Sequence, residues 1–122
     1  MTVAVAAGVA ILGIATGVGH SVISERMILG PLYAGSPGGI LKSRATRAII
    51  RAVFHMPSMA WAVLGIAVLV ARLDGGNPLL SIVAAIHFAV SGIGNLAALR
   101  RPHFGGLMLV GAAILTLADL ML

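Results

Sequence analysis

The sequence predicts an all-α integral membrane protein, a bundle of four transmembrane helices with both termini outside the cytoplasm. Of its 122 residues 60% are hydrophobic and only 9% are charged, and the mean hydropathy is +1.11. A soluble domain carries about 25% charged residues. A spanning helix needs about 20 apolar residues, so we expect one membrane domain over residues 1–122, with short connections and no separate soluble part.

Four apolar stretches predict the spans, which cover about residues 3–24, 47–72, 79–99 and 104–122. The first stretch has no charge, and the first basic residue of the chain, Arg26, follows its apolar core. A signal peptide has its basic residues before that core. We therefore expect a retained helix.

Turn-forming residues separate these spans. Residues 25–46 contain Gly30-Pro31 and Ser36-Pro37-Gly38-Gly39, a pattern typical of a loop. Ser43 or Thr46 is suited to cap the second span. Residues 74–78 form a dense turn signal, which predicts that the second and third spans are an antiparallel hairpin.

Basic residues are distributed unevenly between the connections. Seven of them flank the first and third connections: Arg26, Lys42, Arg44, Arg47, Arg51, Arg100 and Arg101. The second connection has only Arg72. Because basic loops are retained in the cytoplasm, we predict that the first and third connections are cytoplasmic and that the turn at 74–78 and both termini are outside.

Small and polar residues predict which helix faces point into the bundle, since helices in lipid associate through close backbone contact and bury their polar groups. The first span has such a stripe at Ala6, Ala10, Gly13, Gly17, His20, Ser21 and Ser24. The second has Arg47, Arg51, His55 and Ser58, flanked by Trp61, and the third has His87, Ser91 and Asn95. We expect Gly13 and Gly17 to lie at a helix–helix contact.

Depth along the helices predicts which polar residues meet. At about 1.5 Å per residue, His20, His55 and Asn95 lie at similar distances from the cytoplasmic ends of their spans. Glu25, Arg47 and Arg51 lie at the rim of the same layer and are its charged residues. The candidate ligand-binding residues are therefore His20, Glu25, Arg47, Arg51, His55, Ser58 and Asn95, with Ser21 in support.

Three interpretations of this constellation stay open. In the first, the side chains only satisfy one another and fix helix register. In the second, Arg47, Arg51 and the positive end of the second helix bind an anion or a lipid headgroup. In the third, His20, His55 and Glu25 ligate a metal such as zinc, or the two imidazoles ligate haem. The arginines work against a cation, and no cofactor is favoured.

Other features bear on partners. Asp119 lies near the outer end of the last span, at the depth of Arg72, which predicts an interfacial ion pair rather than a proton-relay acid. The net charge of +5 comes from residues beside the spans, and it indicates anionic membrane lipids rather than nucleic acid. Cysteine is absent, which excludes disulfides and thiolate chemistry.

Part of the sequence resembles a known group of proteins. Gly19-His20-Ser21-x-x-x-Glu25-Arg26, then Leu29-Gly30-Pro31-Leu32 and Arg51-x-x-x-His55-x-x-Ser58-x-x-Trp61, is similar to small four-span bacterial membrane proteins. This resemblance covers the first half of the chain. It implies a bacterial inner-membrane setting and carries no activity. The first span lacks the mid-membrane Glu expected of small multidrug exporters.

These observations give ranked functional hypotheses. The first is a binding or transport-type protein that holds an anionic headgroup or small anion at the cytoplasmic leaflet. The alternative is a structural accessory subunit of a larger membrane complex, or a homo-oligomer. An enzyme comes third, because the sequence has no Ser-His-acid order and no paired carboxylates.

The charge asymmetry makes a prediction about orientation. Reporter fusions at Gly76 and at the C-terminus should both give an outside signal, since seven basic residues flank the other two connections and one flanks this turn. Paired alkaline phosphatase and fluorescent-protein fusions measure this. An inside signal at either position contradicts the predicted orientation.

Overall fold

The computed structural model describes residues 2–35 and 38–121, without the side chains of residues 119 and 121. The described chain is all-α, as predicted. Its helices are α1 (Val3–Ile23), α2 (Gly30–Ala34), α3 (Arg44–Leu73), α4 (Pro78–Leu99) and α5 (Phe104–Met121). A short 3₁₀ turn, Gly39–Lys42, precedes α3.

The predicted loop at 25–46 is wrong in its first ten residues, because the helix does not stop at Ser24. A π-helical segment, Ser24–Leu29, links α1 directly to α2 and gives one continuous helix, Val3–Ala34. The Gly30 N–H donates to the carbonyl oxygen of Glu25, and a Cβ on Gly30 would lie 2.8 Å from that oxygen. Gly30 therefore permits the wide turn. Pro31 lies at the start of α2, where its missing N–H is tolerated.

Side-chain caps fix the starts of α3 and α4. The Thr46 N–H donates to Ser43 Oγ at 3.3 Å, so Ser43 is the cap and α3 begins at Arg44, earlier than predicted. The Leu80 N–H donates to Asn77 Oδ1 at 3.1 Å. Between α3 and α4, Gly75 and Gly76 have φ angles of 98° and 97°, which confirms the predicted turn.

Helix packing divides the bundle into two pairs of helices, α1 with α3 and α4 with α5. The most extensive contact is between α1 and α3, followed by α4 with α5 and α1 with α5. Although α3 and α4 are joined by a tight turn, they touch each other much less. The core contains Val9, Trp61, Val68, Ala84, Phe88, Leu109, Ala112 and Ala113. The tight turn therefore joins α3 to α4 as predicted, but α3 packs mainly on α1 and α4 packs mainly on α5.

Glycine lets α1 and α3 approach at backbone distance. A Cβ on Gly17 would lie 2.5 Å from the Ser58 carbonyl oxygen, and a Cβ on Gly13 would collide with the carbonyl oxygen of Trp61. From the other side, a Cβ on Gly65 would lie 3.0 Å from the Ala10 Cα. The prediction that Gly13 and Gly17 lie at a helix–helix contact is confirmed.

A second close approach joins α4 and α5. A Cβ on Gly92 would lie 2.9 Å from the backbone nitrogen of Val110, and one on Gly106 would lie 2.9 Å from the Leu96 side chain. The sequence analysis did not single out this pair, although Gly92 shares the buried face of α4 with Ser81, Ala84 and Ala85. The bundle thus consists of two tight helix pairs joined through α1 and α5.

Three helices are long and apolar enough to cross a membrane: Val3–Ala34, Arg44–Leu73 and Pro78–Leu99. A further apolar helix, Phe104–Ala118, is shorter than these three. Large apolar side chains are exposed along α1, α3, α4 and α5, as lipid-facing surfaces are. These features indicate a membrane protein.

Two glycines of α1 provide a matched test of the α1–α3 contact. Gly17→Ala should destabilise the protein by about 1–3 kcal/mol, because the new methyl overlaps the α3 backbone. Gly19→Ala should be neutral or stabilise by up to about 1 kcal/mol, since its Cβ meets nothing within 4 Å and Ala favours helix. Denaturation in mixed micelles measures both. Equal stabilities would show that the backbones do not approach this closely.

Candidate functional site between α1 and α3

Two histidine–serine pairs cross the α1–α3 contact. His20 Nδ1 and Ser58 Oγ share a hydrogen bond of 2.9 Å, and His55 Nδ1 and Ser21 Oγ share another of 2.9 Å. Each helix contributes one histidine and one serine. The pairs therefore fix the register of the two helices as well as their distance.

Glu25 extends this arrangement from the π-helical segment. Its Oε1 atom accepts from Arg51 Nε at 2.8 Å and from His55 Nε2 at 2.9 Å. Since Nε2 is the donor to Glu25, the neutral imidazole of His55 has Nδ1 as its acceptor, and the Ser21 hydroxyl donates to it. We call His20, Ser21, Glu25, Arg51, His55 and Ser58 the α1–α3 polar cluster.

Arg51 is held in place while most of its side chain stays accessible. Its guanidinium carbon lies 5.6 Å from the centroid of the Tyr33 ring, and the Tyr33 hydroxyl donates to the Arg47 carbonyl oxygen at 3.3 Å. The Arg51 side chain is nevertheless 53% exposed. The carboxylate and the aromatic ring thus orient a guanidinium that can still reach a ligand.

Tyr33 belongs to the site, and the sequence analysis missed it. It falls in the segment that was predicted to be a loop, whereas the structure places it in α2, on the continuation of α1. The only sequence signal for its role is its position eight residues after Glu25, which becomes informative once the helix is known to continue.

Trp61 closes the inner side of the cluster. Its ring contacts His20 edge to face, with the ring centroids 5.2 Å apart, and the residue is only 3% exposed. The sequence placed Trp61 beside the polar face of the second span. The structure adds that it shields the His20–Ser58 pair from the centre of the bundle.

Two predicted site residues are bonded elsewhere. Arg47 Nη1 donates to the carbonyl oxygens of Leu41 and Lys42, at 2.7 and 3.1 Å, so its guanidinium fastens the 3₁₀ turn to α3. Asn95 Nδ2 donates to the Ser91 carbonyl oxygen of its own helix at 2.8 Å. Because α4 packs mainly on α5, Asn95 is not brought to the cluster.

The other sequence predictions concern metals and the outer end of the bundle. Within the described residues, no group of three or more His, Cys, Asp or Glu side chains is placed to hold a metal ion. The imidazoles of His20 and His55 are engaged by serines and by Glu25. The predicted Arg72–Asp119 pair involves a side chain outside the described residues, so it stays a prediction.

Charge around the cluster is predominantly positive. Within it, one carboxylate is matched by one guanidinium. Nearby, Arg26, Lys42 and Arg44 are exposed and Arg47 is partly exposed.

No protein family, curated protein or solved structure matches this chain in the comparisons made.

Replacing His55 tests whether its two hydrogen bonds stabilise the fold. His55→Ala should lower the denaturation midpoint, because the Ser21 hydroxyl and the Glu25 carboxylate both lose a partner. His55→Gln keeps a donor and an acceptor, and should lower it less. Thermal denaturation of the purified protein in detergent makes the comparison. If both variants unfold at the wild-type temperature, the two bonds do not contribute to stability.

Proposed function

We propose that this protein binds a phosphate-type anion at the end of the bundle where Arg51 lies, and that its ligand is the headgroup of an anionic lipid in the cytoplasmic leaflet. It is then a small binding or transport-type protein of the bacterial inner membrane. The proposal depends on the described contacts of Arg51, on the charge around them and on the apolar surface beside them.

The position of Arg51 is the observation that carries the proposal. A guanidinium fixed through Nε by Glu25 and by the Tyr33 ring loses little freedom on binding a ligand. More than half of the side chain is exposed. Guanidinium groups bind phosphate oxygens through paired N–H donors, so an oriented, accessible Arg suits this chemistry better than a flexible one.

The basic residues around the cluster add attraction for an anionic surface. Basic side chains beside a membrane contribute about 1 kcal/mol each. Arg26, Lys42 and Arg44 are exposed, and Glu25 is the one acidic residue in this part of the sequence. The excess of positive charge favours an anion over a metal cation.

Apolar side chains on the same segments favour a lipid over a dissolved anion. Met27 and Ile40 are 72% and 75% exposed, and Ile28 and Leu32 are also exposed. Residues of this kind among basic ones are typical of segments that lie at the lipid–water interface. An anion presented by that interface meets both the apolar and the basic groups.

Arg51→Gln tests the proposal directly. The change removes the charged donor and keeps a side chain of polar character, so retention of an anionic phospholipid should fall about tenfold. Native mass spectrometry of protein released from nanodiscs, with anionic and zwitterionic phospholipids of equal chain length, measures the retained lipid. Inorganic phosphate added as a competitor tests for a soluble anion.

Arg101→Gln is the matched control. Arg101 is exposed in the α4–α5 connection, which is predicted to face the same leaflet, and it has no contact with the cluster among the described residues. It should leave lipid retention close to that of wild type. If both variants lost the same amount of bound anionic lipid, general charge attraction and not a site at Arg51 would explain the retention. Displacement by phosphate alone would identify a soluble anion as the ligand.

A further inference from the structure

The first turn of α5 lies deeper in the bundle than the α1–α3 polar cluster. Helices α1 and α5 pack antiparallel, because a Cβ on Gly8 would lie 3.9 Å from the Leu115 side chain and one on Gly105 would lie 3.8 Å from Thr16 Cγ2. Thr16 precedes Glu25 by nine residues, which is about 13 Å of helical rise. The N-terminus of α5 therefore faces the side of α1, and α1 and α3 extend past it.

Gly105 keeps the start of α5 open. A Cβ at this position would lie 3.3 Å from His103 Cε1 as well as 3.8 Å from the Thr16 methyl. The His103 ring and the Thr16 side chain thus lie against the same point of the first turn. The first N–H groups of a helix have no intrahelical acceptor and carry partial positive charge, which favours anions.

Three buried polar atoms near this helix end have no hydrogen-bond partner in the part of the chain that the structure describes: Thr16 Oγ1, Trp61 Nε1 and His103 Nε2. Thr16 and Trp61 are only 5% and 3% exposed. A threonine inside a helix can donate to the carbonyl oxygen four residues back, as Thr116 does to Ala112 at 2.7 Å. Thr16 makes no such bond. Because a buried polar group without a partner is costly, these atoms point to a ligand.

Trp61 reaches the same level from α3. Its ring packs edge to face on His20, with the ring centroids 5.2 Å apart, and His20 follows Thr16 by one turn on the same face of α1. Leu109, one turn after Gly105 on α5, belongs to the same buried core as Trp61. The indole therefore lies between α1 and α5, beside the first turn of α5.

All three unpartnered groups can donate a hydrogen bond. The Gly106 N–H donates to His103 Nδ1 at 3.4 Å, so the neutral imidazole carries its proton on Nε2. The indole N–H of Trp61 is a donor only, and the Thr16 hydroxyl donates when an acceptor is present. A ligand at this place is thus a hydrogen-bond acceptor.

We propose that the start of α5 binds a small monovalent anion of the halide type, with Thr16 Oγ1, Trp61 Nε1 and His103 Nε2 as its donors. The positive end of α5 attracts an anion more than it attracts a water molecule. The sequence has no acidic residue within eight positions of any of these donors. Since the donors are uncharged, they suit one negative charge better than the two of a phosphate. The site is separate from the one proposed at Arg51.

The fluorescence of Trp61 reports on the proposed site, because Trp61 is the one tryptophan of the sequence. Bromide quenches indole fluorescence on contact. An indole that is 3% exposed is shielded from collision with dissolved ions, whereas an ion bound at Nε1 touches it. Bromide titrated into the protein in nanodiscs of choline-headed phospholipid, with gluconate keeping the ionic strength constant, should therefore give quenching that saturates.

Three variants assign the quenching to the donors. Thr16→Val keeps the shape of the side chain and removes the hydroxyl, so bromide should bind about tenfold more weakly, the loss of one hydrogen bond to a charged group. His103→Asn keeps an acceptor to cap α5 and removes the Nε2 donor, with a similar expected loss. Thr116→Val is the matched control, because that buried hydroxyl bonds within its own helix. It should keep the wild-type bromide midpoint, and denaturation midpoints measured without bromide check that each variant is folded.

Two results would overturn the proposal. Bromide quenching that is absent or rises linearly in wild type would show that the three donors bind water and no anion. Equal bromide midpoints in wild type, Thr16→Val and His103→Asn would show that the ion binds elsewhere. Arg51→Gln leaves the three donors intact, so it should lower retention of anionic lipid without changing the bromide midpoint, which separates this site from the lipid site.

Discussion

The backbone contact between α1 and α3 is the constraint on which the rest of the structure depends. The hydrophobic effect contributes little to helix association in lipid, so dispersion contacts and hydrogen bonds must hold α1 and α3 together. Gly13, Gly17 and Gly65 remove the side chains that would keep the backbones apart. At that distance a serine hydroxyl on one helix reaches an imidazole on the other. The crossed histidine–serine pairs are thus a consequence of the glycines.

The continuation of α1 beyond Ser24 has a similar structural importance. If the chain had turned away there, Glu25 and Tyr33 would have belonged to a loop. Instead, the π-helical segment and α2 extend alongside the start of α3, and both side chains meet Arg51. π-helical turns recur at functional sites. In this protein the wide turn follows from Gly30, whose missing Cβ admits the Glu25 carbonyl oxygen.

The two ends of the bundle differ in charge and in shape. At one end two long helices extend together and present an oriented arginine among basic and apolar side chains. At the other end α3 and α4 separate, because each has a larger interface with a different helix, and an aspartate lies at the mouth of the space between them. The first feature follows from the continuation of α1 alongside α3, and the second from the unequal pairing of the helices.

The sequence by itself determined the all-α class, the apolar helices, the turn at 74–78 and the contact face of Gly13 and Gly17, because hydropathy, turn residues and small-residue spacing act locally along the chain. It also placed His20, Glu25, Arg51, His55 and Ser58 on facing sides at similar depth. Only the tertiary structure decided that Arg47 and Asn95 bond elsewhere and that Tyr33 joins the site. Those outcomes depend on which helices pair and on where a helix continues through Gly30-Pro31, and both are set by packing between distant segments.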